Sequence, residues 1–139
     1  MLARMRRAVT FALCAVVAAA AGCGGGDDDG PDAGGLAQEA SAVIDELERA
    51  IARGEFERIC AELLSAEVRR QAGGGECPAM LERTSAGVKR PRIEVKKIQI
   101  KGSTAIVQVE TVAQGQARVP DTIRLVREAG GYRISSLSG

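Results

Sequence analysis

Cysteine is the residue type in this chain of 139 residues that is best suited to covalent chemistry, and Cys23 has the most informative surroundings. Three arginines lie near the start of the chain: Arg4, Arg6 and Arg7. An uncharged apolar run from Ala8 to Ala21 follows and leads through Gly22 to Cys23. Small residues before a cysteine leave room for lipid attachment and then for cleavage. We therefore predict a lipoprotein signal peptide over residues 1–22, with Cys23 as the lipidated first residue of the mature chain.

The apolar run has two other interpretations. A retained membrane helix needs about 20 apolar residues, and the run from Ala8 to Ala21 is shorter. An ordinary secretory signal stays open, because Ala19-Ala20-Ala21 also suits a peptidase that cuts after small residues. The cysteine directly after Gly22 favours lipidation. We expect acyl chains such as palmitate to hold the protein on the extracytoplasmic face of the cell membrane.

Cys60 and Cys77 are the cysteines that remain for the folded domain, because Cys14 lies in the apolar run and Cys23 carries the lipid. Thiols outside the cytoplasm are not held reduced. We therefore predict a structural disulfide between Cys60 and Cys77, worth about 3 kcal/mol in the chain-entropy model. A metal-binding or catalytic role for this pair is disfavoured, since the chain has no histidine to assist it. No metal or cofactor is predicted.

The segment at residues 23–35 is rich in glycine and aspartate. It cannot bury an apolar face, so we predict a solvated tether that spans roughly 20 Å. The formal charge of +1 becomes −2 without the three arginines of the signal, and +2 when the four aspartates of the tether are also left out. Neither value predicts binding to nucleic acid.

Basic residues are concentrated in one part of the domain. They are Lys89, Arg90, Arg92, Lys96, Lys97 and Lys101. We interpret them as the solvent-facing edge of a strand, where Lys and Arg oppose association between sheets. Contact with anionic lipid or a cell-wall polymer is the alternative, because a cation near an anionic surface is worth about 1 kcal/mol.

In the first part of the domain, apolar residues recur with the period of an α-helix. Apolar residues share one stripe of the first helix: Leu36, Ala40, Val43, Ile44, Leu47 and Ile51. Gly54 ends this helix, a second begins at Glu55, and Ser65 caps a short third turn that reaches Gln71. Pro78 is well placed in the first turn of a fourth helix.

Beyond Gly87 the apolar residues recur with a period of two. The phase shifts at Lys96-Lys97, which predicts a β-bulge that bends the sheet. Gly102-Ser103 predicts a hairpin turn. The later strands are predicted at Thr104–Ala113, Thr122–Arg127 and Tyr132–Leu137. Helices followed by an antiparallel meander predict an α+β domain over residues 36–139.

The chain resembles the nuclear transport factor 2-like superfamily. The resemblance is carried by the long first helix, by the segment Gly54-Glu55-Phe56-Glu57-Arg58-Ile59-Cys60, and by the strand pair from Leu125 to Ile134 with its Gly130-Gly131 turn. It covers nearly all of residues 36–139 and is strongest toward the small exported domains of actinobacterial lipoproteins. The resemblance implies a cone in which N-terminal helices pack on a curved antiparallel sheet, with an apolar pocket at the open end. The pocket should be shallow because the strands are few.

A fold of this kind does not decide function by itself. Enzymes of the superfamily, such as ketosteroid isomerases and scytalone dehydratases, use a pocket Asp or His as base. This chain has no histidine, and Tyr132 stands where the family has a packing aromatic. Glu94 and Glu110 lie on predicted strands, and if buried they would have a raised pKa suited to base chemistry. We expect a noncatalytic ligand-binding or protein-interaction module; the alternative is an isomerase- or dehydratase-type enzyme that uses a pocket carboxylate.

Seven apolar residues are the candidates for lining the pocket. They are Val43, Leu47, Ile93, Val107, Val109, Leu125 and Ile134. An apolar small molecule or an envelope protein is the expected partner, besides the membrane itself. Ile106 and Val112, on the other face of their strand, are candidates for a homodimer interface.

Overall fold

A computed structural model describes residues 33–138 of the chain. The signal peptide, Cys23 and most of the predicted tether lie outside these residues. The helical elements are α1 (Ala33–Arg53), α2 (Phe56–Arg58), a π-helical turn (Ile59–Leu63), α3 (Ala66–Gln71), a 3-10 turn (Gly74–Glu76) and α4 (Cys77–Ser85). The strands are β1 (Arg92–Lys101), β2 (Thr104–Val112), β3 (Val119–Glu128) and β4 (Gly131–Ser138). Helices therefore precede a four-stranded antiparallel sheet, which confirms the predicted α+β class. Over residues 33–138, no helix has the length and apolar character needed to span a membrane.

Helix α1 is anchored by a stripe of buried residues. Ala40, Ile44, Leu47 and Ala50 are buried, and Gly54, with a φ of +70°, ends the helix. The helix begins at Ala33, three residues before its predicted start, so the last residues of the predicted tether are helical. The apolar stripe begins only at Leu36, because a first helical turn needs no buried face of its own when the following turns are held by the core.

The short helices connect α1 to the sheet. The disulfide between Cys60 and Cys77 joins the π-helical turn to the first residue of α4. Ser65 caps α3 as predicted, since its hydroxyl accepts a hydrogen bond from the backbone N–H of Val68 at 3.3 Å. The N–H of Ser65 donates to the carbonyl of Ile134 in β4 at 2.9 Å, which fixes the helical half against the sheet.

The sheet is a meander in the order β1-β2-β3-β4. Its register shifts between Val95 and Lys97, at the predicted bulge. A second shift, which we did not predict, occurs where β4 pairs with Arg124 and Leu125 of β3. Bulges bend the strands that carry them, so the sheet curves at two places.

Strand β3 begins at Val119, three residues before its predicted start. The start of β3 was predicted too late because of Pro120. Proline has no N–H to donate to a β-ladder and is normally absent from the interior of a paired strand. Here Pro120 pairs with Glu110 of β2, and the pairing of β3 with β4 begins only at Thr122. The missing N–H of Pro120 therefore disturbs no pairing on the β4 side.

Strand β1 lies at one edge of the sheet and carries four of the six concentrated basic residues. Lys97 and Lys101 are exposed on it, as the strand-edge interpretation expects. The carboxylate of Glu48 in α1 accepts a hydrogen bond from the backbone N–H of Ile93 at 2.6 Å. One backbone donor at the edge of β1 is thus satisfied by the helix that packs on it.

Candidate functional site

The structure places most of the seven pocket candidates in the hydrophobic core. Leu47, Val107, Val109, Leu125 and Ile134 are all at most 5% exposed and belong to one cluster of buried residues. Val43 is partly buried and packs against the same cluster. The helices and the sheet thus pack against each other through these side chains. Of the seven candidates, Ile93 lines a cavity.

That cavity lies where the carboxyl-terminal ends of α1 and α4 meet the loops before β1 and before β3. It has a volume of about 250 Å³. Its lining residues are Ile51, Thr84, Ser85, Val88, Pro91, Arg92, Ile93, Thr111, Val112, Ala113, Gln116, Ala117 and Val119. We call it the apolar cleft.

The apolar cleft is open at its rim and hydrophobic inside. Among the described residues, Val88 and Val119 are the large hydrophobic side chains that remain exposed, at 38% and 52%, and both line it. Its lining contains no carboxylate, and Arg92 is its one charged residue. An arrangement of this kind can hold an apolar group beside a cation, whereas its lining offers no carboxylate or imidazole base.

Hydrogen bonds to backbone carbonyls hold the two loops that form the rim. The N–H of Gln114 donates to the carbonyl of Lys89 at 2.8 Å, which ties the loop before β1 to the loop after β2. The N–H of Val88 donates to the carbonyl of Ser85 at 3.0 Å. The hydroxyl of Thr111 donates to the carbonyl of Val119 at 3.3 Å. The walls of the apolar cleft are therefore positioned by the fold before any ligand arrives.

Arg90 has an unusual backbone at this rim. Its φ is +48°, and it is the residue other than glycine, among those described, that has a positive φ. It also precedes Pro91, and a residue before proline is normally extended. Such a conformation costs of order 1–3 kcal/mol, and residues of this kind cluster at binding and catalytic sites.

The two carboxylates considered as candidate bases do not face the core. Lys96 contacts Glu94 at 3.0 Å and Glu110 at 3.1 Å, and Arg118 contacts the same two carboxylates at 3.2 and 3.0 Å. Hydrogen bonds from Lys96 are the largest cause that lowers the pKa of both Glu94 and Glu110, and Arg118 adds to the effect. This is opposite to the raised pKa expected of a buried base, so these residues form a surface ion-pair network.

Tyr132 is a core residue. It is 1% exposed, and the guanidinium of Arg127 lies 5.4 Å from the centre of its ring. Arg127 in turn pairs with Glu39 of α1 at 3.4 Å. Burial raises the pKa of the Tyr132 hydroxyl, which has no hydrogen-bond partner among the described residues. The position agrees with the packing role expected from the sequence.

The two candidates for a dimer interface lie in different surroundings. Ile106 is half-buried and pairs with the polar residues Gln99 and Arg124 on the neighbouring strands. Val112 lines the apolar cleft. The two residues thus have different neighbours, and the homodimer interface stays a prediction.

The described residues contain no cluster of potential metal ligands. Within residues 33–138, no group of three or more His, Cys, Asp or Glu side chains could hold a metal ion.

The fold and the apolar cleft define an α+β protein whose helices pack on an antiparallel meander, with an open hydrophobic site at one end. Among solved structures, the chain is similar to one titled "De novo designed NTF2 fold protein NT-9", with a TM-score of 0.36 and 22% sequence identity, over 74% of this chain and 80% of that one. No protein-family model matches the chain. No curated protein matches it either.

Proposed function

We propose that this protein is a lipid-anchored extracytoplasmic binding module of the nuclear transport factor 2-like type, and that its apolar cleft holds a small apolar ligand without transforming it. The observation that carries the proposal is the character of the cleft. Its lining combines Ile51, Ile93 and Val112 with the exposed Val88 and Val119, and apolar surface of this kind gains free energy when a ligand covers it.

The size of the cleft limits what it can hold. Its volume of about 250 Å³ is smaller than the 300–1,000 Å³ usual for drug-sized ligands. At roughly 30 Å³ per water molecule, it has room for about eight groups of that size. A short acyl chain or a small ring fits this volume, whereas a large polycyclic ligand would extend beyond it.

Two features support the compartment. The sequence around Cys23 matches a lipoprotein signal, and Cys60 and Cys77 are placed for a disulfide, which persists outside the cytoplasm. Helix α1 begins at Ala33 and contributes Ile51 to the cleft. These positions are about 27 Å apart along the helix axis, so the cleft lies toward the end of α1 opposite to its first residue.

The proposal is tested by filling the cleft. Ala117 is exposed and lines the cleft, so Ala117→Trp should occupy the cleft without disturbing the core. Gln114→Trp is the matched control, because Gln114 is exposed in the same loop but does not line the cleft. The measurement is the fluorescence of the neutral apolar probe N-phenyl-1-naphthylamine, in a Cys23→Ser background that carries no acyl chains at residue 23.

We expect saturable probe binding in the background protein and in Gln114→Trp, and loss of binding in Ala117→Trp. Bound probe should also stabilise the fold by mass action, by about 2.7 kcal/mol at a hundredfold excess over its Kd. Absence of saturable binding, or equal binding in both tryptophan variants, would show that the cleft is not a ligand site.

A further inference from the structure

One cation lines the apolar cleft, and two more are close to it in the chain. Arg92 lines the cleft, and Lys89 and Arg90 lie in the chain between the lining residues Val88 and Pro91. All three side chains are exposed. The short segment from Val88 to Arg92 therefore carries both apolar contact surface and positive charge.

These cations have no internal partner. Across the described residues, Lys89, Arg90 and Arg92 make no ion pair, whereas Lys96 and Arg118 each contact two carboxylates. Of these three cations, Arg92 lines the cleft, so its charge is available to an anion that enters the cleft.

The residues that line the cleft carry no negative charge, because none of them is Asp or Glu. The carboxylate of Glu48 lies beside the lining residue Ile93 and accepts a hydrogen bond from its backbone N–H at 2.6 Å, but it is not itself part of the lining. A low-dielectric apolar wall beside uncompensated cations strengthens the attraction of an anion to this place.

The strained backbone lies in the same segment. Arg90, at a φ of +48°, is held there by the hydrogen bond from Gln114 to the carbonyl of Lys89. Backbone strain that the surrounding structure maintains is a feature of ligand clamps. The strain thus falls on the residue that lies between the other two cations.

From these observations we propose that the ligand of the apolar cleft is an amphipathic carboxylate of the fatty-acid class, bound as a free molecule. Part of its acyl chain lies against Ile51, Ile93 and Val119, and its carboxylate is bound at Arg92 and the adjacent cations. A guanidinium can bind a carboxylate through two parallel hydrogen bonds. The volume of about 250 Å³ suits part of one acyl chain, which is why we commit to a free amphiphile and not to a two-chain bilayer lipid. The inference rests on the proposed function, since it names the ligand class of the same cleft.

The test compares two ligands of equal chain length, one with an anionic headgroup and one with a neutral headgroup. Decanoate and decanol have the same chain length, and each is titrated against the Cys23→Ser protein by displacement of the neutral probe, at a pH where decanoate is ionised. The variant is the double substitution Arg90→Gln with Arg92→Gln. Lys97→Gln is the control, because Lys97 is an exposed cation of β1 without an ion pair among residues 33–138 and does not line the cleft.

We expect decanoate to bind about tenfold more tightly than decanol at low salt, as one charge-assisted contact would give. The double variant should bring the two ligands to equal affinity, and Lys97→Gln should leave the preference unchanged. High salt should reduce the preference, because exposed cations are screened.

The outcomes separate this inference from the proposed function. Equal affinity of the unaltered cleft for decanol and decanoate would overturn the fatty-acid assignment and leave an apolar site. Displacement by neither ligand, together with no probe binding, would overturn both proposals. Binding to vesicles of phosphatidylglycerol that depends on Arg92, without binding of soluble decanoate, would overturn the free amphiphile in favour of a membrane surface.

Discussion

The buried hydroxyl of Tyr132 shows how a single side chain can serve packing at a cost. The ring lies in the core under the guanidinium of Arg127, and such a contact between a cation and an aromatic face is favourable. The hydroxyl, however, has no hydrogen-bond partner among the described residues. An unsatisfied buried polar group costs about 1–3 kcal/mol.

We therefore predict that Tyr132→Phe raises the free energy of unfolding by about 1 kcal/mol at neutral pH, because it keeps the ring and removes the unsatisfied group. Urea denaturation measures this change. A less stable variant at neutral pH would contradict the prediction and would show that the hydroxyl makes a favourable interaction.

The same variant should alter stability at alkaline pH. Burial raises the pKa of Tyr132 above its ordinary value of 10.0. The unfolded chain therefore loses the phenol proton first, so stability present below pH 10 declines as the pH rises through the pKa of the folded protein. Tyr132 is the only tyrosine of the chain, so Tyr132→Phe should remove the tyrosine contribution to this decline.

At the residue scale, the sequence predicts which face of a strand a side chain occupies only where the neighbouring residues alternate clearly between apolar and polar. Val107 and Val109 of β2 are buried, so strand alternation places Glu110 on the opposite, outer face of the sheet. The partners of Glu110 could not be predicted in the same way. Lys96 reaches it from the bulge and Arg118 from the loop before β3, and these positions follow from tertiary structure.

At the scale of elements, a change of phase in the apolar pattern proved to be the most useful signal. It located the bulge of β1 at Lys96-Lys97. The same test could have found the irregularity of β4, where Ser135-Ser136 separates Ile134 from Leu137 and shifts the alternation. The early starts of α1 and β3 had no such signal, because Gly34-Gly35 and Pro120 have low propensity for helix and strand, respectively.

At the scale of elements, the disulfide between Cys60 and Cys77 gives a testable prediction. It closes a loop with a sequence separation of 17 residues and joins the π-helical turn to α4. We expect the double variant Cys60→Ala with Cys77→Ala to lose about 3 kcal/mol of unfolding free energy. Because Thr84 and Ser85 at the end of α4 line the apolar cleft, the variant should also bind the apolar probe more weakly.

Urea denaturation with and without reductant measures the effect. The wild type should become less stable on reduction, whereas the double variant, which has no bond to lose, serves as the control and should not respond. Recovery of two alkylatable thiols from protein taken out of its own envelope would contradict the disulfide.

At the scale of the whole molecule, the sequence predicted the class of fold but not the location of the site. Residues with helical periodicity and residues with strand periodicity occupy separate halves of the domain, and this separation was sufficient to predict the α+β class. The apolar cleft instead depends on two loops and a helix end that meet in space, at Val88, Ala117 and Ser85. No periodicity connects these positions, and the residues with the strongest apolar pattern, such as Leu125, were used by the core.

The anchor is the prediction that concerns the chain as a whole. Cys23 directly follows the small residues at the end of the apolar run, so we expect metabolic labelling with a fatty acid to mark the wild type and not Cys23→Ser. Cys14→Ser is the matched control and should stay labelled, because Cys14 lies within the segment that is removed. Labelling of Cys23→Ser would exclude this lipid site.

The meander of the sheet has a consequence for how the domain acquires its structure. Each strand pairs with the strand that follows it in the chain, and β1 and β2 are joined through Gly102-Ser103 alone. Most pairings therefore connect residues close in sequence, and a low contact order favours fast folding. If the chain crosses the membrane unfolded, as the proposed export implies, it can close one hairpin after another. The inner strands β2 and β3 then stay unpaired only briefly and have little time to associate with other chains.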